Sequence, residues 1–100
     1  MSRENPITHP GEVLYDDFLD ALDISQYALE KAIGVPPSRI NEIVKGTRAI
    51  TADTALRLGR YFSVSGQYWL ELQNHYDVER ERSIIAKKLA AIQPYGQSMY

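Results

Sequence analysis

Gly34 is followed at once by Val35, Pro36 and Pro37, and this break between two short stretches of helical periodicity constrains the chain more than any other feature. A glycine just past a helix takes the left-handed conformation that ends it. Proline has no amide donor, so it can open a helix but cannot sit deep inside one. Before the break, Leu29, Ala32 and Ile33 recur at helical spacing behind Ser25, whose hydroxyl suits an N-cap. That predicts a helix from about Gln26 to Ile33 with those three residues inward. After the break, Ile40, Ile43 and Val44 repeat at three- and four-residue spacing, and Gly46 comes next but one. That predicts a second short helix starting near Pro37. Its other face carries Ser38, Arg39, Asn41, Glu42 and Lys45.

The rest of the chain reads as helix as well, and no alternating apolar stretch between turn signals suggests a strand. A first helix is expected from about Pro10 to Leu22. Pro10 suits a first helical position, and Glu12, Asp16 and Asp17 lie early, where the helix dipole favours negative charge. Leu14, Phe18 and Leu22, four residues apart, would form its buried stripe. A fourth helix is expected from Ala52 to Phe62, capped by Thr51, with Ala55, Leu58, Gly59 and Phe62 inward and Gly59 permitting close approach. A fifth starts after Ser65 and contains Tyr68, Trp69 and Leu72. A further helix is expected over about Val78–Ile92, with Ile85, Leu89 and Ile92 on one face. The tail from Pro94 to Tyr100 is expected to fray. The reading is therefore all-α, with residues 1–76 as one unit of five helices and 77–100 as a C-terminal helix and tail.

One hundred residues make one small domain with a thin core, which leaves apolar surface for a partner chain. There is no cysteine, which excludes disulfides and thiolate metal sites. No signal-peptide pattern or membrane-length apolar run is present, so a cytoplasmic protein without a membrane partner is expected. The net charge of −2 argues mildly against nucleic acid, but its distribution does not. Residues 1–24 set Arg3 against Glu4, Glu12, Asp16, Asp17, Asp20 and Asp23. Residues 25–62 carry Lys31, Arg39, Lys45, Arg48, Arg57 and Arg60 against Glu30, Glu42 and Asp53. The positive charge thus sits in the middle of the chain, where the two short helices fall.

Two short helices about a tight break, the second polar on one face, are the layout of a helix-turn-helix. The second helix of such a pair enters the major groove of DNA, whose base edges present a distinguishable pattern of donors and acceptors. Pro37, Ser38 and Asn41 are small or polar enough for its leading end, and Arg39 and Lys45 can reach bases or phosphates. Gln26, at the start of the preceding helix, can donate to a phosphate, and Thr47 and Arg48 can clamp the next ones. Glu42 either accepts from a cytosine amino group or pairs with Arg39 or Lys45.

The run SQYALEKAIGVPPSRINEIVKGTRAITADTALRLGRYFSVSGQYWLELQ resembles the Xre-type, lambda-repressor-like helix-turn-helix family. The opening HPGEVLYDDFL, the GTRAIT segment and WLELQ are similar, more narrowly, to its HigA/VapI branch of antitoxins. The similarity covers about residues 8–76. The resemblance implies a homodimer that binds double-stranded operator DNA in its own operon and represses it. It also implies a HigB-type toxin as partner, a ribonuclease that the antitoxin neutralises. By position it assigns Gln26, Pro37, Ser38, Arg39, Asn41, Glu42, Lys45, Thr47 and Arg48 to the DNA-facing segment.

A regulator of the same fold without a toxin is the alternative. The acidic face of Glu12, Asp16, Asp17 and Asp20 is either a solvated helix surface or a dock for a basic toxin. His9 is expected to cap the first helix or to be solvated, and neither it nor His75 has a second ligand at metal spacing. No catalytic motif or phosphate-cradling glycine loop occurs, so neither an enzyme nor a cofactor is expected.

Overall fold

The helix that opens the bundle owes its start to His9 and Pro10. In the computed structural model, which describes residues 7–96, the His9 Nδ1 accepts from the Gly11 N–H at 2.9 Å, and Pro10 takes the first helical position. This α1 (Pro10–Val13) runs directly into a π-helical segment, Leu14–Asp20. It is followed by α2 (Gln26–Ile33), α3 (Arg39–Lys45), α4 (Ala52–Phe62), α5 (Gly66–Ile84) and α6 (Ala86–Ala90). Among the described residues there is no strand.

The π-helical segment changes which residues are buried. Its hydrogen bonds span five residues rather than four, which brings Leu14 and Leu19 onto one side. Both are buried, Phe18 is half-buried, and Leu22 is 55% exposed. The stripe expected at Leu14, Phe18 and Leu22 is therefore wrong at its last member, because a 3.6-residue period does not hold through this segment.

Leu14, Leu29, Ile40, Ile43, Leu58 and Trp69 are fully buried and form the centre of the core. Trp69 stacks at a tilt on Phe18, with ring centroids 4.9 Å apart, and meets Tyr68 edge-on at 5.1 Å. Phe18 also packs on Phe62 at 4.7 Å. Trp69 is thus core, with Tyr68 and Leu72 half-buried beside it. Ala32, expected inward, is exposed.

Two glycines allow close packing. An alanine Cβ at Gly59 would lie 2.6 Å from the Val64 carbonyl oxygen, so only glycine lets the turn into α5 fold back on α4. Gly11 gives α1 the same intimacy with the C-terminal part of α3.

Ser65 caps α5 by accepting from the Tyr68 N–H at 3.1 Å. The helix then continues without interruption through residues 76 and 77 to Ile84. The separate helix expected from Val78 is instead the second half of α5, and the break falls at Ile85. Residues 77–84 contain no glycine or proline that would stop the helix. This extension lengthens the molecule to 53 Å against 23 Å in the other directions. Along it, Val78, Ile84, Leu89 and Ile92 are exposed. The fraying expected over Pro94–Tyr100 falls in part on residues 97–100, outside the described residues.

Candidate nucleic-acid interface

The interface is built on α2, α3 and the turn between them. Ser25 is extended and its Oγ accepts from the Ala28 N–H at 3.0 Å, which starts α2. Gly34 ends it at φ 72°, and the Gly34 N–H donates to the Glu30 carbonyl oxygen at 2.9 Å. The last carbonyls of α2 are then met from a distance. Arg57, on α4, donates through Nη1 to the carbonyls of Ile33 at 2.7 Å and Gly34 at 3.2 Å. Its Nε donates to Asp53 at 2.7 Å, one helical turn back. A cation at a helix C-terminus also opposes the negative end of the dipole. The turn is thereby tied to α4.

The second helix starts at Arg39, two residues later than expected. The Arg39 N–H donates to the Pro36 carbonyl oxygen at 3.2 Å, and Ser38 has φ 74° and ψ −8°. These are the hydrogen bond and third-residue geometry of a type II turn over residues 36–39, with proline favoured at the position Pro37 holds. Pro37 and Ser38 therefore belong to the turn and not to the body of α3. Both are exposed.

All nine candidate side chains lie at the surface. Gln26, Arg39, Asn41 and Glu42 are half-buried, and Pro37, Ser38, Lys45, Thr47 and Arg48 are exposed. Asn41 Nδ2 donates to Gln26 Oε1 at 3.2 Å, so the start of α2 and the first turn of α3 present one joined polar edge. Arg39 Nη1 donates to Thr54 Oγ1 at 3.2 Å, which orients the guanidinium from a buried anchor on α4. Glu42 pairs with neither Arg39 nor Lys45. Its carboxylate accepts from Arg48 Nε at 2.6 Å, while its backbone carbonyl accepts from both the Thr47 amide and the Thr47 hydroxyl. Thr47 and Arg48 are thus gathered against the end of α3, where Gly46 stops the helix at φ 84°.

Several residues outside the expected set hold this surface in place. Gln73, buried on α5, accepts from the Ile50 N–H at 2.7 Å and donates to Asp77 at 2.9 Å. It pins the strap that leaves α3, two residues beyond Arg48. Glu30 Oε2 accepts from the Ile40 N–H at 3.2 Å, across the turn. The Asp53–Arg57 spacing is a readable i,i+4 signal, but nothing local marks Gln73 or Glu30. Arg39, Arg48 and Arg57 line one polar cleft of about 350 Å³ with Thr51 and Asp53, which gathers three of the six cations of residues 25–62 beside the turn. Thr51 holds the N-cap position of α4, but its side chain makes no cap hydrogen bond.

His9 stands behind the interface. It meets Tyr76 of α5 edge-on, with ring centroids 4.8 Å apart. Burial lowers its pKa from the ordinary histidine value, and the carboxylates of Asp77 and Glu12 oppose that shift.

Two short helices locked about a tight turn, with amide and guanidinium side chains along the outer face of the second, define a helix-turn-helix nucleic-acid-binding protein. Similarity to known proteins narrows this class. The helix-turn-helix family model HTH_3 matches residues 17–69, and the chain belongs to this Xre-type family. It is 54% identical over 77 residues to virulence-associated protein I of Dichelobacter nodosus, covering 77% of this chain and 71% of that protein. Its structure is similar to that of the Pseudomonas aeruginosa antitoxin HigA with the higBA promoter, with a TM-score of 0.86 and 42% identity. That match covers 90% of this chain and 99% of the other. An addiction module antidote protein of the HigA family from Coxiella burnetii gives a TM-score of 0.83 at 37% identity, covering 89% and 98%. Among the described residues no helix is long and apolar enough to cross a membrane.

Proposed function

We propose that this chain is a sequence-specific DNA-binding antitoxin that represses its own operon and neutralises a HigB-type ribonuclease toxin. The observation that carries the reading is the joined polar edge of Gln26 and Asn41 beside the exposed turn, Pro36–Ser38, that leads into α3. Its support is the 42% identity to an antitoxin seen with its promoter. Ser38, Arg39 and Asn41 read base edges in the major groove. Gln26, Lys45, Thr47 and Arg48 hold phosphates, while Pro37 adds apolar surface and Glu42 sets the position of Arg48. Two copies act together, with reading helices about 34–36 Å apart in successive major grooves. The exposed apolar residues Val78 and Ile84 on the extension of α5 and Leu89 on α6 are available for such pairing.

The test is titration of the protein onto a labelled duplex of its own upstream region and onto a scrambled duplex, at two salt concentrations. Preference for the native duplex, lost in Arg39→Ala, is the expected result. Equal weak binding to both would refute the repressor. Co-expression with the neighbouring open reading frame tests the toxin. A stable complex that suppresses ribonuclease activity is expected. Operator binding without any such complex would leave a stand-alone regulator.

A further inference from the structure

Among the described residues three helices have serine at the N-cap, and two of them use it. Ser25 and Ser65 are extended, and each hydroxyl accepts from an amide of the first turn of its own helix. Ser38 is left-handed, because the type II turn demands positive φ there, and its hydroxyl makes no cap hydrogen bond to α3. The first turn of α3 is served from another helix. The Glu30 carboxylate, ten residues back on α2, accepts from the Ile40 N–H, the second amide of α3.

The geometry points to Glu30 as a positioning residue for DNA reading, one that caps the reading helix from α2 and so leaves the Ser38 hydroxyl to the DNA. The inference rests on the DNA-reading function proposed above. A cap drawn from the helix's own N-cap residue sets only its local geometry. A cap drawn from α2 also fixes where α3 starts relative to α2, whose first residue, Gln26, is already joined to Asn41. The two hydrogen bonds run from consecutive residues of α3, Ile40 and Asn41, to positions one turn apart on α2, Glu30 and Gln26, so together they restrain the rotation of α3 as well as its depth. A carboxylate suits the role, since it stabilises the positive end of the helix dipole. Glu30 is half-buried and is not one of the groups placed against phosphate.

The experiment measures, for the full chain, affinity for the native upstream duplex and a scrambled one, thermal stability, and hydrogen exchange of the Ile40 amide. The variants are Glu30→Ala, Glu30→Gln and Ser38→Gly. Glu30→Ala is expected to lower the preference for the native duplex about tenfold, the scale of one lost cap. Its salt dependence should stay unchanged, because no phosphate contact is lost. Ile40 exchange should accelerate relative to core amides. Glu30→Gln keeps an acceptor oxygen and should restore most of both properties. Ser38→Gly relieves the left-handed residue, so it should hold or raise stability while still lowering the preference. Full preference in Glu30→Ala despite lower stability would show a merely structural bond and overturn the proposal. So would full preference in Ser38→Gly. If Glu30→Ala does not fold, Glu30→Gln decides together with the wild-type exchange rate: an unprotected Ile40 amide in the wild type overturns the cap. A wild type without preference would instead refute the repressor, and Ile40 exchange would still judge the cap.

Discussion

Replacing Gly11 with alanine tests how tightly α1 is seated on α3. The added methyl would lie 2.7 Å from the carbonyl carbon of Ile43 and 3.0 Å from the Cα of Val44, and it would overlap the Ile43 carbonyl oxygen outright. Ordinary contact begins at 3.4 Å. Every atom it meets is backbone, so no side-chain rotation relieves the overlap, and α1 and α3 must move apart. Forcing extra volume into a packed contact costs about 1–3 kcal/mol, and backbone neighbours place this case at the upper end. Alanine's better helix propensity offsets up to about 1 kcal/mol. The net loss is about 2 kcal/mol, which lowers Tm by roughly 8–16 °C for a domain of this size. Thermal unfolding followed by circular dichroism reads it directly. Gly66→Ala is the matched control. Its nearest neighbour is the end of the Leu56 side chain, which can turn away, so a smaller loss is expected. A Gly11→Ala protein melting at or above the wild-type temperature would refute the packing argument.

Lowering pH should destabilise the protein through His9. Its folded pKa lies below the unfolded value near 6.5, so the unfolded chain binds the extra proton first. The stability is complete above about pH 6.5 and is lost as pH falls from there toward the folded pKa; His9→Asn, which keeps a cap acceptor, should remove that part of the slope in denaturant titrations. Arg57→Ala strips two carbonyls at the end of α2 of their donor and should cost about 1–2 kcal/mol; an unchanged denaturation midpoint would contradict the tie. Arg39→Ala should cost about 1–3 kcal/mol of affinity for the native duplex, and equal affinity would remove it from the reading set. Lys45→Ala should weaken native and scrambled duplexes alike and shallow the salt slope by about one; a loss confined to one sequence would count against a phosphate role.

Much of the helix-turn-helix region was legible because its signals act over a few residues. Ser25, Gly34 and Gly46 are caps and stops whose partners lie within four positions, and each takes its expected place. The polar face of α3 likewise follows from the burial of Ile40 and Ile43. The start of α3 was misplaced because two adjacent prolines are compatible with either a helix opening or a type II turn. Only the left-handed Ser38 decides between them. The length of α5 was missed for the opposite reason. Nothing in residues 77–84 stops a helix, and nothing in the sequence marks Ile85 as the break.

By itself the sequence determined an all-helical chain with a helix-turn-helix about Gly34 and a cationic middle. Those properties rest on periodicity, on caps and on charges counted along the chain. The tertiary structure alone decided which distant groups hold the surface still: Arg57 on the carbonyls of Ile33 and Gly34, Gln73 on Ile50, Glu30 on Ile40, and Thr54 on Arg39. It also decided that Leu19 rather than Leu22 enters the core. These contacts join residues 10–24 positions apart. A buried polar group takes whichever partner the packed helices bring within reach, and local sequence does not encode that distance.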